Sequence, residues 1–238
     1  MLREMLDVMM PRECLVCGQK LGASEDPLCI WCTEVLPLTY YWERVHNPMA
    51  DEFNALLERG RACGERMDYA YAVALLFYHH ANPYKRIPQA LKYSRNLSAG
   101  RYYAAELGRF MAAQPHFASV DLVLPVPLHF SRFWQRGYNQ AQVIAARLAG
   151  ALEASIRTDV LVRRRKTRTQ TRLDADARLK NVSGVFHVRR TVPCNHILLV
   201  DDTFTTGATL AACYRVVRDA FGPGPRISVA TLSAVSSQ

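Results

Sequence analysis

The stretch that decides the fold is HILLVDDTFTTGATL, His196 to Leu210. Ile197 to Val200 form a continuous apolar run of the kind that a strand buried on both faces requires. The run ends in two carboxylates, Asp201 and Asp202. Thr203-Phe204-Thr205-Thr206-Gly207 follows, small and hydroxylated except for Phe204, and then Leu210, Cys213, Val217 and Phe221 recur on one helical face. The order is strand, tight loop, helix. In a parallel α/β sheet such a junction lies at the carboxyl end of a strand, where ligands collect.

The residue types at the junction specify a chemistry. Amides at a helix N-terminus favour an anion, and hydroxyls from Thr205, Thr206 and Thr209 add donors, while Gly207 leaves the backbone open to a phosphate. Two acids beside a phosphate repel it unless they face another part of the same ligand. A ribose supplies that part, because its vicinal hydroxyls donate to carboxylates. The constellation asks for a 5-phosphorylated pentose. A Walker loop is excluded, since Gly207 is followed by Ala208 rather than lysine, and Gly222-Pro223-Gly224 precedes the next strand instead of joining strand to helix. The plainer alternative is that the acids cap a helix and the threonines form a turn.

Val200 to Thr209, VDDTFTTGAT, resembles the phosphoribosyl-diphosphate binding signature of type I phosphoribosyltransferases. With the segments that follow, the chain is similar to the ComF/GntX-type branch of that superfamily from Cys14 to about Ala230. The resemblance implies an α/β core, a central mostly parallel sheet flanked by helices, with a small N-terminal four-cysteine zinc module. The expected division is a zinc module at 1–36, a linker or partly helical segment at 37–68, and the phosphoribosyltransferase-like domain at 69–238.

A second junction precedes the first in the chain. Val120 to Val126, VDLVLPV, is again an apolar run apart from Asp121, leading into Pro127-Leu128-His129-Phe130-Ser131-Arg132. By resemblance this is a diphosphate loop, with Pro127, Leu128, His129 and Arg132 near the leaving group. Arg136-Gly137-Tyr138-Asn139-Gln140 opens a helix in which Ile144, Leu148 and Leu152 are four apart. That string, like Leu91-Lys92-Tyr93, also resembles ComF-like chains.

Upstream, Tyr69 to Tyr78 reads as a strand or hairpin arm ended by His79-His80-Ala81-Asn82-Pro83. Tyr84 to Arg95 reads as a short helix, and Ser98 to Ala113 as a longer one with Tyr102, Ala105, Leu107 and Phe110 inward. Lys85 and Lys92 are candidates for a diphosphate or for nucleic acid, against the alternative of solvated charges.

Arg163 to Arg172, RRRKTRTQTR, carries six positive charges and no acid. Such a run is exposed or pinned to an anion. By resemblance it is a mobile loop, with Lys166, Arg168 and Arg172 closing on the diphosphate. The competing readings are a phosphate-tracking strip for single-stranded DNA, in which Arg163, Arg164 and Arg165 act with Lys166, or a solvated surface.

Near the N-terminus, Cys14-Leu15-Val16-Cys17 and Cys29-Ile30-Trp31-Cys32 are two CxxC pairs separated by eleven residues. Two such turns complete a tetrahedron of sulfurs around a structural zinc, with disulfides as the alternative. Half of the 238 residues are hydrophobic, enough for one good core, and no apolar run approaches the ~20 residues of a membrane span. Charges inside MLREMLDVMM argue against a signal peptide, so a cytoplasmic protein is expected. The net charge of +9 suits polyanionic partners and phosphorylated substrates alike.

The expected function is phosphoribosyl transfer from phosphoribosyl diphosphate to a nitrogen acceptor, with magnesium on the diphosphate, and the resemblance implies an association with DNA uptake. Asp201 and Asp202 are the catalytic candidates, and Thr203, Thr205, Thr206, Gly207 and Thr209 hold the 5-phosphate. The alternative is a non-catalytic module that binds single-stranded DNA alongside competence proteins.

Overall fold

The computed structural model describes residues 12–59, 68–79, 81–93, 97–128, 130–163 and 185–235. Four strands reach the sheet from separate parts of the chain around a fifth, β6 (His196–Phe204). They are β1 (Ala72–Tyr78), β2 (Leu122–Pro125), β3 (Ser155–Ile156) and β7 (Arg226–Val235), and the order across the sheet is β1-β7-β6-β2-β3. Every pairing is parallel. Tyr69 to Tyr78 is therefore no hairpin arm; its strand begins at Ala72 and pairs with β7.

Parallel strands need covered faces, and the sequence provides them by alternation. Val73, Leu75, Val123, Leu198, Val200, Ala230 and Leu232 face one side. There they meet α3 (Arg86–Tyr93), α4 (Leu97–Ala112) and α6 (Gln140–Ala151) through Leu91, Leu107, Ile144 and Leu148. Ala72, Ala74, Leu122, Leu124, Ile197, Leu199 and Val229 face the other, against α2 (Pro48–Glu58) and α7 (Ala208–Phe221). Ile197 to Val200 have no exposed surface, as their unbroken apolar run requires. In α4 the buried residues include Tyr103, Ala104, Leu107 and Met111, whereas Tyr102 and Ala105 are exposed and Phe110 is half-buried. The inward stripe is thus displaced by one residue from the expected one at Tyr102 and Ala105, because α4 must present its face to both α3 and α6.

The connections place the site. The chain leaves β2 through α6 toward β3, on one face, and leaves β6 through α7 toward β7, on the other. Opposite directions with one crossover handedness put the two helices on opposite faces. Between the carboxyl ends of the adjacent strands β2 and β6 a crevice opens, the topological switch point of an open α/β sheet.

Two smaller parts complete the molecule. β4 (Leu161–Arg163) and β5 (Phe186–Val188) form an antiparallel pair beside α7. The cysteine module, with α1 (Ile30–Glu34), packs Cys14, Val16, Leu28, Cys29 and Cys32 into the same apolar cluster as Tyr84, Ile87 and Tyr103. Among the described residues no helix is long and apolar enough to cross a membrane.

Candidate functional site at the switch point

β6 is longer than its apolar run. It pairs with β2 only as far as Val200, whose carbonyl accepts from Val126 N at 2.8 Å. Pairing with β7 continues through Asp201, Thr203 and Phe204. The carboxylates therefore stand on a strand rather than after one, and β2 has already ended on the side that faces the crevice. The strand holds them at fixed alternation, and Asp201 Oδ1 accepts from Asp202 N at 2.8 Å.

Phe204, the last residue of β6 and the apolar exception among the threonines, explains how the chain turns. Its ring is buried and meets Phe53 of α2 edge-on. Gly207 then adopts φ +67°, and a Cβ there would come within 2.8 Å of the Phe204 ring. Glycine is required by the left-handed conformation and by that ring, a packing reason additional to the approach of a phosphate. Thr205, Thr206 and Thr209 are exposed beyond this anchor.

A cavity of about 420 Å³ fills the crevice. Asp201 and Asp202 line it from β6, Val126, Pro127 and Leu128 from the end of β2, and Thr209 from the first turn of α7. Asn139, Gln140 and Ala141 line it from the start of α6. Asn139 caps that helix, its Oδ1 accepting from Ala141 N at 3.1 Å, and its Nδ2 donates to Val126 O at 2.9 Å. One side chain thus ties the loop after β2 to the helix. Both α6 and α7 bring their N-termini to the cavity, each equivalent to roughly half a positive charge.

Three cationic side chains, Lys92, Arg136 and Arg163, line the same cavity. Lys92 Nζ lies 3.0 Å from Asp202 Oδ1 and donates to Thr203 Oγ1 at 3.1 Å. Ser233 Oγ also donates to Thr203 Oγ1 at 3.1 Å, so the Thr203 hydroxyl is engaged inside the protein. Arg163, the last residue of β4, stacks over the Phe186 ring at 5.3 Å.

Of the residues picked from the sequence, Asp201, Asp202, Thr209, Pro127, Leu128, Lys92 and Arg163 line this cavity. Lys85 is half-buried in a 3-10 turn at the far end of α3, roughly 10 Å along the helix axis from Lys92. The Pro127–Arg132 stretch is not all loop, since α5 (Phe130–Arg136) begins within it, and Arg132 is a residue of that helix. His129, Arg164, Arg165, Lys166, Arg168 and Arg172 lie outside the described residues. In the sequence Arg136, Asn139 and Gln140 stand out only as parts of a motif string. Their place on the cavity wall follows from Gly137, whose φ of +82° turns the chain sharply from α5 into α6.

The cysteines form a second centre. The sulfurs of Cys14, Cys17, Cys29 and Cys32 all lie within 4.8 Å of one another, close enough to hold a metal ion. The 3.7 Å between the sulfurs of Cys17 and Cys29 matches the edge of about 3.8 Å that a tetrahedron with Zn–S of about 2.3 Å produces. Burial opposes ionisation of Cys14, but the amides of Cys17, Cys29 and Val16 outweigh it and hold its thiol down at about 6. Burial, followed by the three neighbouring sulfurs, pushes Cys32 up to about 12. A proton is thus easily lost at one corner of the cluster, and further negative charge is resisted until a cation offsets it. The module is fastened to the start of α3 and the 3-10 turn before it: Tyr84 of the turn donates to Cys32 O at 2.8 Å, and Arg86 of α3 to Val16 O at 2.9 Å.

Comparison with known proteins agrees with the resemblance read from the motifs. The chain is similar to Competence protein F of Haemophilus influenzae, 25% identical over 213 residues, which cover 86% of this chain and 90% of that protein. It is also similar to DNA utilization protein YhgH of Escherichia coli K12 and of Salmonella typhi, 35% and 36% identical over 91 residues. Those matches span 38% of this chain and 40% of each relative. Among solved structures, orotate phosphoribosyltransferase from Aeropyrum pernix aligns with a TM-score of 0.34 and 17% identity, over 76% of this chain and 80% of that one. No family model matches the chain.

Proposed function

We propose that the cavity binds phosphoribosyl diphosphate and that the protein transfers phosphoribose to a nitrogen acceptor, in association with the handling of incoming DNA. One observation carries the reading: two carboxylates on β6 and the N-termini of α6 and α7 converge on a single cavity at the switch point. An all-anionic ligand is repelled by the acids, and a plain sugar leaves the helix termini unused. A sugar phosphate uses both.

In this reading Asp201 and Asp202 accept from the ribose hydroxyls and place negative potential beside the sugar as it gains oxocarbenium character. The amides from Thr205 to Thr209 hold the 5-phosphate. The loop at Pro127 and Leu128, with Arg136 and Arg163, faces the diphosphate. The hard carboxylate oxygens of Asp201 and Asp202 would suit magnesium, which would supply charge neutralisation to the diphosphate. The four cysteines fit zinc in a closed, structural role, consistent with their attachment to α3. The names of the similar proteins, which concern competence and DNA utilization, support the link with DNA uptake. The test is calorimetric titration of phosphoribosyl diphosphate with magnesium. Binding is expected in the wild type and at least tenfold weaker in Asp201→Asn and Asp202→Asn; no heat with folded wild type overturns the reading.

A second reading, binding of single-stranded DNA, has its own support. Beside the cavity, sharing Asn139 with it, lies a groove of about 600 Å³ lined by Arg101, Arg147, Phe133 and Tyr138, with no acid among its described lining residues. Trp134, on the same helix as Phe133, is 73% exposed. Arginines beside accessible aromatic rings suit backbone phosphates and stacked bases. Anisotropy of a labelled oligothymidylate should weaken steeply with salt and fall further in the Arg101→Ser, Arg147→Ser double variant; unchanged affinity there removes the groove from consideration.

A further inference from the structure

Gln140 is the first residue of α6, is 1% exposed, and lines the same cavity as the acid pair. Among the described residues, neither its Nε2 nor its Oε1 has a hydrogen-bond partner. A buried amide with both ends unsatisfied is a standing cost to the fold, and a leucine or methionine of similar volume would remove it. The neighbouring residue shows that the helix start does not need the glutamine, because Asn139 already caps α6 through Ala141 N.

We infer that Gln140 is a ligand-contacting residue of the cavity, whose amide bridges a phosphoryl oxygen and an adjacent hydroxyl of a bound sugar phosphate. The inference rests on the function proposed above and adds the group that reads the ligand from the α6 side. The two ends of the amide define the ligand class. Nε2 donates only, so it needs an acceptor, which phosphoryl oxygens provide in abundance. Oε1 accepts only, so it needs a donor, which a fully ionised phosphate lacks and a sugar hydroxyl has. Assigning the amide in the flipped sense changes nothing, because both atoms are unpartnered. The α6 N-terminus beside it adds its dipole to the phosphoryl side. A ligand with a hydroxyl next to a phosphoryl group satisfies the whole residue, and inorganic phosphate or diphosphate satisfies half.

The experiment is Gln140→Met in the full-length protein, with Gln140→Leu as a second variant, each measured by thermal denaturation and by calorimetry. The probes are ribose 5-phosphate, phosphoribosyl diphosphate with magnesium, and inorganic diphosphate. Without ligand, the Tm is expected to rise by about 2–6 °C as the unsatisfied amide is removed. Affinity for the two sugar phosphates is expected to fall at least tenfold, and that for inorganic diphosphate by no more than about threefold. An unchanged or lowered Tm in both variants means that the amide is satisfied or structural and overturns the inference. Unchanged sugar-phosphate affinity in variants of a wild type that binds overturns it while leaving the proposed function standing. Equal losses for diphosphate and sugar phosphate overturn the hydroxyl contact. A wild type that binds none of the probes overturns both readings together.

Discussion

The ammonium of Lys92 sits 3.0 Å from the carboxylate of Asp202, joining the last turn of α3 to the acid pair on β6. The other end of α3 begins at Arg86, which holds the cysteine module by the carbonyl of Val16. One short helix therefore runs from the candidate metal centre to the candidate sugar-phosphate site. Damage at either end of that helix has a direct route to the other.

Lys92→Met leaves Asp202 partly buried without its ion partner, the side chains being 23% and 18% exposed in the pair. A loss of about 2 kcal/mol is expected from urea denaturation. Combining it with Asp202→Asn should recover about half of that loss. Strict additivity of the two losses in the double-mutant cycle would show that the pair does not couple in solution.

Removing the metal should loosen α3 as well as the module. The purified protein is expected to carry about one zinc per chain by elemental analysis, and Cys17→Ser or a strong chelator should lower the Tm by several degrees. Hydrogen exchange should then rise in Arg86–Tyr93 but not in β7. A metal-free protein with an unchanged Tm under chelator would count against a structural zinc.

Gly207→Ala must adopt φ +67° with a side chain and also push against Phe204 at 2.8 Å. The two penalties together should cost about 3 kcal/mol in urea denaturation. In a Phe204→Leu background, which relieves the contact but not the backbone conformation, the cost of the same substitution should drop to about 1 kcal/mol. An equal cost in both backgrounds would place the whole effect in the backbone.

His196 lies at the opposite end of β6 from the acids, fully buried, with Ser119 Oγ 2.8 Å from Nδ1 and Ser228 Oγ 2.7 Å from Nε2. Burial first, then the positive Arg226, holds its pKa down at about 4. The unfolded chain, titrating near 6.5, binds the proton more readily, so stability is full above about 6.5 and falls as pH drops toward 4. The loss attributable to this residue is about 3 kcal/mol across that window. Urea midpoints from pH 7 to pH 4 should show it as a difference between wild type and His196→Gln. Parallel profiles for the two proteins would exclude His196 as its source.

The sequence by itself determined what depends on neighbours within a few residues. Ile197 to Val200 read as a strand covered on both faces, a turn into a helix was due by Gly207, and the CxxC pairs brought four sulfurs within metal-binding reach. Periodicity and turn chemistry are local, so these features were legible without a fold. The extension of the strand through Asp201 and Asp202 to Phe204 came only from pairing with β7. Contacts between distant segments were not. That Lys92 meets Thr203, 111 residues away, depends on β1 taking the sheet edge beside β7 and on α3 returning across the face. That Tyr103 rather than Tyr102 is buried depends on which helices flank α4, a choice that both sequence registers allow. Gln140 reads in the sequence as an ordinary polar residue opening a helix, and only the packing of α6 against β2 and β6 left its amide buried on the cavity wall with no partner among the described residues. Strand order decides which loops share a crevice, and strand order is set by the burial of the whole sheet rather than by any stretch of it.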